Sequence, residues 1–468
     1  IDGHPRHYSR DVDTEYVPGK ITTYDLSISK KANTGEYEIE LTGVSITAWE
    51  ADNVSHGDDA REYVVVHNVI PGDLERMIVD RLEMDPTKIE NLKLTGKINL
   101  KDCYFMNGQM TSLKRINLKE VECENNELGG FGGMTRLIKC VLPDNLERIG
   151  GFENTSLTGA LLLPEGLKSV GGFENSKITS VQFPSTLEEI QSGAFKSCTS
   201  LMTEISFPES LKSIGNHAFY RSSIKGDVIL PHNLETIGAQ AFQQCEGLTG
   251  SLVIPDKVKI IPYAAFDYCN FSGTLTLPKR LVEIDRYAFS SNSFKGELNI
   301  PSSVTTIGTE AFAGNDFNGT LVLPSELTSL GSRAFYQCMR LSGVVEIPEN
   351  IVAIPSELFM NCICLEGIKL HKDVAAIESN AFALCYGVYS IVCEAKNPPT
   401  INSSSFDGVA KDNFTLEVPE TSVARYRTAD NWSEFKRIAA HRDFSISRNL
   451  YRTLNPEHSK TFVLRAPA

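Results

Sequence analysis

The sequence predicts a solenoid, a pile of short coils that share one long core. Three observations predict it. A proline recurs at Pro143, Pro164, Pro184, Pro208, Pro231, Pro255, Pro278, Pro301, Pro324 and Pro348, with His371 in the next slot. A phenylalanine recurs at Phe195, Phe219, Phe242, Phe266, Phe289, Phe312, Phe335, Phe359, Phe382 and Phe406, every 23 or 24 residues, and Phe131, Phe152 and Phe173 repeat every 21. The segment between prolines, such as PSSVTTIGTEAFAGNDFNGTLVLP from Pro301 to Pro324, follows neither a helical period nor strict alternation. It cannot bury its apolar side alone, so it must stack on copies of itself.

The first 20 residues are polar and read as a flexible N-terminal segment. His4 and His7 sit there as a weak metal pair. Asp11, Asp13 and Glu15 begin like a calcium loop, but Tyr16 replaces its glycine and Thr22 its closing glutamate, so that reading fails. Residues 21–70 alternate in TYDLSIS and YEIELTGVSITAW and end in EYVVVHNVI, which predicts a β-hairpin cap on the open first coil. PGDLERMIVDRL then predicts a helix, with Leu74, Met77, Ile78 and Leu82 on one face and Asp73 as N-cap. Two irregular coils follow, carried by the L-x-L strands of ENLKLTGKIN and SLKRINLKEVEC.

Residues 125–410 form the regular array. The residues three and one before each proline point inward, as in Leu252/Ile254 and Ile368/Leu370, and proline ends the strand because it has no N–H for the ladder. The apolar pair at +3 and +6, such as Val304/Ile307, turns inward next. A glycine often follows, as at Gly215, Gly238, Gly308 and Gly331, and is expected to let the backbone turn. Ala-Phe then closes the coil, alanine for close approach and phenylalanine to fill the layer. The +14 slot holds Cys198, Cys245, Cys269, Cys338, Cys362 and Cys385 but also Ser222, Asn292 and Asn315. A slot shared by these residues wants a small side chain that hydrogen-bonds nearby backbone. The expectation is a ladder of free thiols, although coils ~4.8 Å apart leave a bridge such as Cys245–Cys269 within reach. Thirteen coils at that spacing give a core of roughly 60 Å.

Residues 394–440 break the pattern. The strand TLEVP and a helix from about Ser422 present Val423, Tyr426, Trp432, Phe435 and Ile438 as a lid on the last coil. The solenoid with this cap therefore spans 71–440. Residues 441–468 alternate like strands and read as the start of a further β domain or a segment that packs back on the lid.

The run LPHNLETIGAQAFQQC (Leu230–Cys245) resembles the BspA-like leucine-rich repeat family of bacterial surface proteins. NPPTINSSSFDG with LEVPETSVARYRTADNWSEFKRI resembles that family's C-terminal cap, and the early L-x-L coils resemble its Bacteroidetes members. The resemblance implies a leucine-rich repeat solenoid, one parallel strand per coil with short helical or turn segments opposite. It also implies export to the cell surface, often on a lipid anchor at the outer membrane, and recognition or adhesion there.

Chemistry has little room. A net charge of −14 and a pI near 5.2 argue against nucleic acid and anionic membranes. No apolar run reaches the length that spans a membrane. Ile1 is not a start methionine, so a processed or trimmed chain is expected. There is no GxSxG, HExxH or Walker pattern, and GGFGG at Gly129–Gly133 aligns with IGGFEN and VGGFEN as repeat grammar. No catalytic site, metal or cofactor is expected.

What remains is the outward strand face, at positions −4 and −2 from each proline. Its candidate binding residues are Glu204, Asp227, Ile229, Val253, Thr276, Glu297, Asn299 and Glu346, with Leu162 as a further apolar position. Glu204 and Asp227 share a column in successive coils, where two carboxylates either hold a proton or cation or simply stay solvated. The expected function is non-enzymatic recognition of a protein partner, such as a host matrix or cell-surface protein, carrying a basic patch. The alternatives are a glycan-binding module, for which these columns lack aromatics, and a stalk that displays another domain.

Overall fold

The structure is a computed structural model. It describes residues 63–441 and the backbone of three earlier strands, Leu26–Lys30, Tyr37–Leu41 and Ser45–Thr47. The His4/His7 pair, the Asp11–Glu15 run and the tail beyond His441 lie outside the described residues. The chain divides into two compact units, 1–226 with 245–247, and 227–244 with 248–468.

In the first unit, Leu26–Lys30 and Tyr37–Leu41 pair antiparallel, Leu26 opposite Leu41. Ser45–Thr47 pairs antiparallel with Tyr63–Asn68, which then runs parallel to Asn91–Ile98. Arg115–Cys123 and Lys139–Val141 complete a five-stranded sheet. The expected helix after Pro71 is there, ending in a wide turn over Arg76–Arg81. Its cap is not Asp73. The Asp73 carboxylate pairs with Arg76 at 2.8 Å, which holds it below the usual carboxylate range. The free amides of Gly72 and Leu74 donate instead to buried Asp102, at 2.7 and 2.9 Å. Asp102 belongs to a helix over Leu100–Gln109 that the sequence reading missed. Asn99 caps that helix, and Asp102 closes the box by accepting from the Asn99 amide at 3.0 Å.

The coils of both units are built alike. Two-residue strands at the +5/+6 positions stack in parallel register. In the first unit Arg148–Ile149, Ser169–Val170, Glu189–Ile190 and Ser213–Ile214 do so, in the second Ile260–Ile261, Glu283–Ile284, Thr306–Ile307 and Ser329–Leu330. The strand before the proline makes a second ladder, longest in the second unit as Val344–Glu346, Gly367–Leu370, Ser390–Cys393, Leu416–Val418 and Ile438–Ala440. At the slot where His371 replaces proline, the ring is buried, with Nε2 3.1 Å from the Ile351 carbonyl.

The Ala-Phe segment makes a third ladder, formed from turns and not from helix. Tyr287, Phe289 and Ser291 donate to the carbonyls of Thr309, Ala311 and Ala313 at 2.8–2.9 Å. Tyr287 and Ser291 both have positive φ, as do Gln240 and Gln244, Ala264 and Tyr268, Arg333 and Gln337, and Asn380 and Leu384. Most of these are residues for which the left-handed region costs about 1–2 kcal/mol. The inter-coil hydrogen bonds hold them there.

The phenylalanines stack as a fully buried column within each unit. Rings lie 4.8–5.8 Å apart from Phe131 to Phe219 and 5.3–5.7 Å apart from Phe242 to Phe406, with planes tilted by 20° or less. The second column ends under the lid. Trp432 and Phe435 pack on Phe406 at 5.8 and 5.7 Å, and the Trp432 indole N–H donates to the Pro399 carbonyl at 2.8 Å. The helix Val423–Thr428 brings Tyr426 beside Trp432.

The repeated glycine needs a different explanation from the one expected. Gly215, Gly308 and Gly331 are absent from the positive-φ residues. A Cβ on them would lie 2.4, 2.4 and 2.2 Å from the backbone nitrogens of Ser192, Arg286 and Thr309 in the preceding coil. They are glycines because two coils touch, not because the chain turns.

The +14 slot has a specific task. The cysteines and asparagines there donate to the carbonyl of the phenylalanine one coil earlier. Cys198 reaches Phe173 at 3.1 Å, Cys245 reaches Phe219 at 3.0 Å, Cys269 reaches Phe242 at 2.9 Å and Cys338 reaches Phe312 at 3.2 Å. Asn292 and Asn315 do the same to Phe266 and Phe289 at 2.7 and 2.9 Å. All eleven cysteines are free thiols. Cys338→Val keeps the volume and removes the donor, so it should cost about 1–2 kcal/mol in a urea titration. Cys338→Asn should be close to neutral, because Asn315 already does this work one coil away. Equal stability of the valine variant and the wild type would show that the slot selects size alone.

Candidate functional site

Alternation in the strand before each proline decides which side chains reach solvent. All eight candidate residues are exposed, while their inward neighbours Ile205, Val228, Leu252, Leu275, Leu298 and Val345 are buried. Glu204 belongs to the first unit and the other seven to the second. The paired-carboxylate reading of Glu204 with Asp227 gains no support from either unit taken alone.

A glycine column shapes this face. Gly226, Gly250, Gly296, Gly319 and Gly343 stand five residues before their prolines, all with positive φ. Each leaves room for the −4 side chain of the coil before it. In the first unit the Glu204 chain lies where a Cβ on Gly226 would be, 2.7 Å from its Cγ. In the second, Asp227 lies against Gly250 and accepts from the Thr249 hydroxyl at 3.2 Å, and Glu297 lies against Gly319. Glu346 differs, because Lys369 one coil on pairs with it at 3.4 Å. Asp227 and Glu297 face solvent, and among the described residues no ion pair is formed with either. Between and beside them the −2 column presents Ile229, Val253 and Val322, which are 78%, 56% and 71% exposed. Val322 belongs with the candidate residues by the same alternation that selected Ile229. Thr276 and Asn299 fill the coils between.

Reactive groups are scarce elsewhere. Burial pushes the Cys198 thiol up to about 11 and those of Cys245, Cys338 and Cys385 up to about 12, so they stay protonated at neutral pH. Among the described residues no group of His, Cys, Asp and Glu is arranged to hold a metal ion. No described helix is long and apolar enough to cross a membrane. In the first unit an open hollow of about 440 Å³ is rimmed by Lys97, Lys119, Glu120, Glu122 and Asp144. Its charges are already paired, Lys97 with Glu122 at 3.4 Å and Lys119 with Asp144.

A family profile described as "BspA type Leucine rich repeat region (6 copies)" matches residues 169–295, 212–340 and 315–426. The chain belongs to this family. The matched BspA-type stretch, 169–426, takes in the coils from Phe173 to Phe406. A leucine-rich repeat protein from Bacteroides ovatus is 18% identical, with 92% of this chain and 100% of that one covered and a TM-score of 0.43. A leucine rich cell surface protein from Faecalibacterium prausnitzii is 18% identical over 93% of this chain and 98% of that one, with a TM-score of 0.31. The pneumococcal vaccine antigen PcpA is 16% identical over 89% of this chain and 99% of that one, with a TM-score of 0.38. A comparison with curated proteins gives no match.

Proposed function

We propose that this BspA-type repeat protein is a non-enzymatic recognition protein of the bacterial cell surface that binds a protein partner through its outward strand face. The observation that carries the reading is the pairing of two columns in the second unit. Apolar Ile229, Val253 and Val322 run alongside the carboxylates Asp227 and Glu297, which no cation among the described residues pairs with. Exposed apolar side chains in register supply area, and open acids supply orientation. The partner therefore presents apolar groups next to lysine or arginine. Thr276, Asn299, Glu346 and, in the first unit, Glu204 would border the contact. Surface location, a lipid anchor and a host protein as partner are part of the same proposal, with the BspA-type family match as their support.

The test is a peptide-display selection with the full chain as bait. Recovered peptides should combine basic and apolar residues, and their affinity should fall as salt rises from about 50 to about 500 mM. Asp227→Lys with Glu297→Lys should weaken them about tenfold or more, since each reversal removes an attraction and adds a repulsion. Undiminished binding by the double variant would remove this face from consideration.

A further inference from the structure

Away from the strand face, the slot just after each phenylalanine faces the turn side of the coil. In consecutive coils of the second unit it holds Gln243, Asp267, Ser290 and Ala313. Three of these are neutral and small or amide-bearing. Asp267 is a carboxylate that is only 4% exposed. Its Oδ2 accepts from the Gln243 side-chain amide at 2.8 Å, and Gln243 is itself held by Gln240. Its Oδ1 is buried and has no hydrogen-bond partner. Among the described residues no ion pair with it is formed. The charged neighbour acting on it is Glu310, two coils on, which adds repulsion. Glu310 is engaged by Arg333 at 3.3 Å, and Arg333 is shared with Glu357 at 2.8 Å. Glu310 also acts on Tyr287, whose ring meets Tyr263 edge to face at 6.0 Å, with Arg286 over the Tyr263 ring at 5.5 Å.

We propose that Asp267 is a proton-operated clasp on the turn side of the second unit, loosening the coils around Phe266 and Phe289 when ionised and tightening them when protonated. The ionised form buries a charge whose Oδ1 has no well-formed hydrogen bond, with only the nearby Ser290 hydroxyl to offset it, and faces a second carboxylate. A proton taken from solvent onto Oδ1 removes the buried charge and the repulsion from Glu310, and leaves the Gln243 bond in place. Burial, opposed by Gln243 and Ser290, moves the group from its ordinary 3.8 up to about 6. The sign follows: the folded state binds the proton more tightly than the unfolded chain. The stabilisation is fully present below about pH 4 and is lost as pH rises through about 6. This is the reverse of the usual carboxylate, and it places the change between neutral and mildly acidic surroundings.

The experiment is hydrogen exchange of the full chain, corrected for intrinsic rates, read on peptides covering the Phe266 and Phe289 coils. Wild type is compared with Asp267→Asn and Asp267→Ser, the latter copying the residue found one coil on. Between about pH 7.5 and pH 5 the opening constant of these coils should fall about tenfold in wild type and stay flat in both variants. At about pH 7.5 both variants should exchange more slowly than wild type. Equal pH dependence in wild type and variants overturns the clasp. Should neither variant fold, the carboxyl ¹³C signal of Asp267 in the wild-type chain decides. A midpoint near 6 upholds the proposal, and one near 4 overturns it.

Discussion

Phe312→Ala should lower the stability of the second unit by about 4 kcal/mol. The ring is fully buried, stacked on Phe289 at 5.7 Å and Phe335 at 5.6 Å and edge-on to Phe317 at 6.0 Å. Removing it costs the transfer energy of a phenyl group and leaves a void in a column whose members touch only their neighbours. In a stacked array stability is close to a sum of coil and interface terms, and this ring contributes to two interfaces. The loss should therefore be local before it is global. Hydrogen exchange should rise first in the Phe289, Phe312 and Phe335 coils, and the urea transition should broaden or split. Phe312→Leu should recover more than half of the loss, because it refills most of the volume. A cost below about 1 kcal/mol for the alanine variant would mean that the column is ornament and the strand ladders hold the unit together.

Gly331→Val should cost about 3 kcal/mol, and Gly331→Ala somewhat less. A Cβ at this position meets the Thr309 nitrogen at 2.2 Å, the Gly308 carbonyl carbon at 2.4 Å and the Thr309 Cα at 2.7 Å. All three are backbone atoms, so none can rotate away. Relief requires the coils to part, which stretches the bonds from the Gly331 amide to the Ile307 carbonyl, 2.8 Å, and from the Glu310 amide to the Ser332 carbonyl, 3.0 Å. Gly108 is the control. It sits in the helix Leu100–Gln109 with nothing within 4 Å of a built Cβ, so Gly108→Ala should gain about 0.5–1 kcal/mol. Thermal melts of the two alanine variants should move in opposite directions. Melts that move together would show that contact between coils is not what keeps residue 331 a glycine.

These two glycines show where the sequence was legible. Spacing and residue identity repeat thirteen times, so the phenylalanine column, the inward strand positions and the lid around Trp432 were all readable before any coordinates. The reason for Gly331 was not. A glycine that permits a turn and a glycine that permits contact are the same letter. The left-handed residues Tyr287 and Leu384 were invisible for the converse reason, since neither is a residue that signals positive φ. The helix Leu100–Gln109 was lost between two L-x-L strands, although Asn99 and Asp102 spell its capping box. On the strand face, alternation predicted which of Asp227, Ile229 and Glu297 reach solvent. It could not predict that Lys369 neutralises Glu346, because that depends on side-chain reach between coils. Asp267 was unreadable as well, since its slot holds Gln, Ser and Ala in neighbouring coils.

The bond from the +14 cysteines and asparagines back to the phenylalanine carbonyl one coil earlier gives the protein a growth rule. Each such module brings the donor its predecessor needs and leaves its own acceptor for its successor. Copying one whole module into the middle of the array therefore satisfies both new junctions at once. Relatives of this chain should thus differ in length by complete modules, like a ruler lengthened by whole graduations.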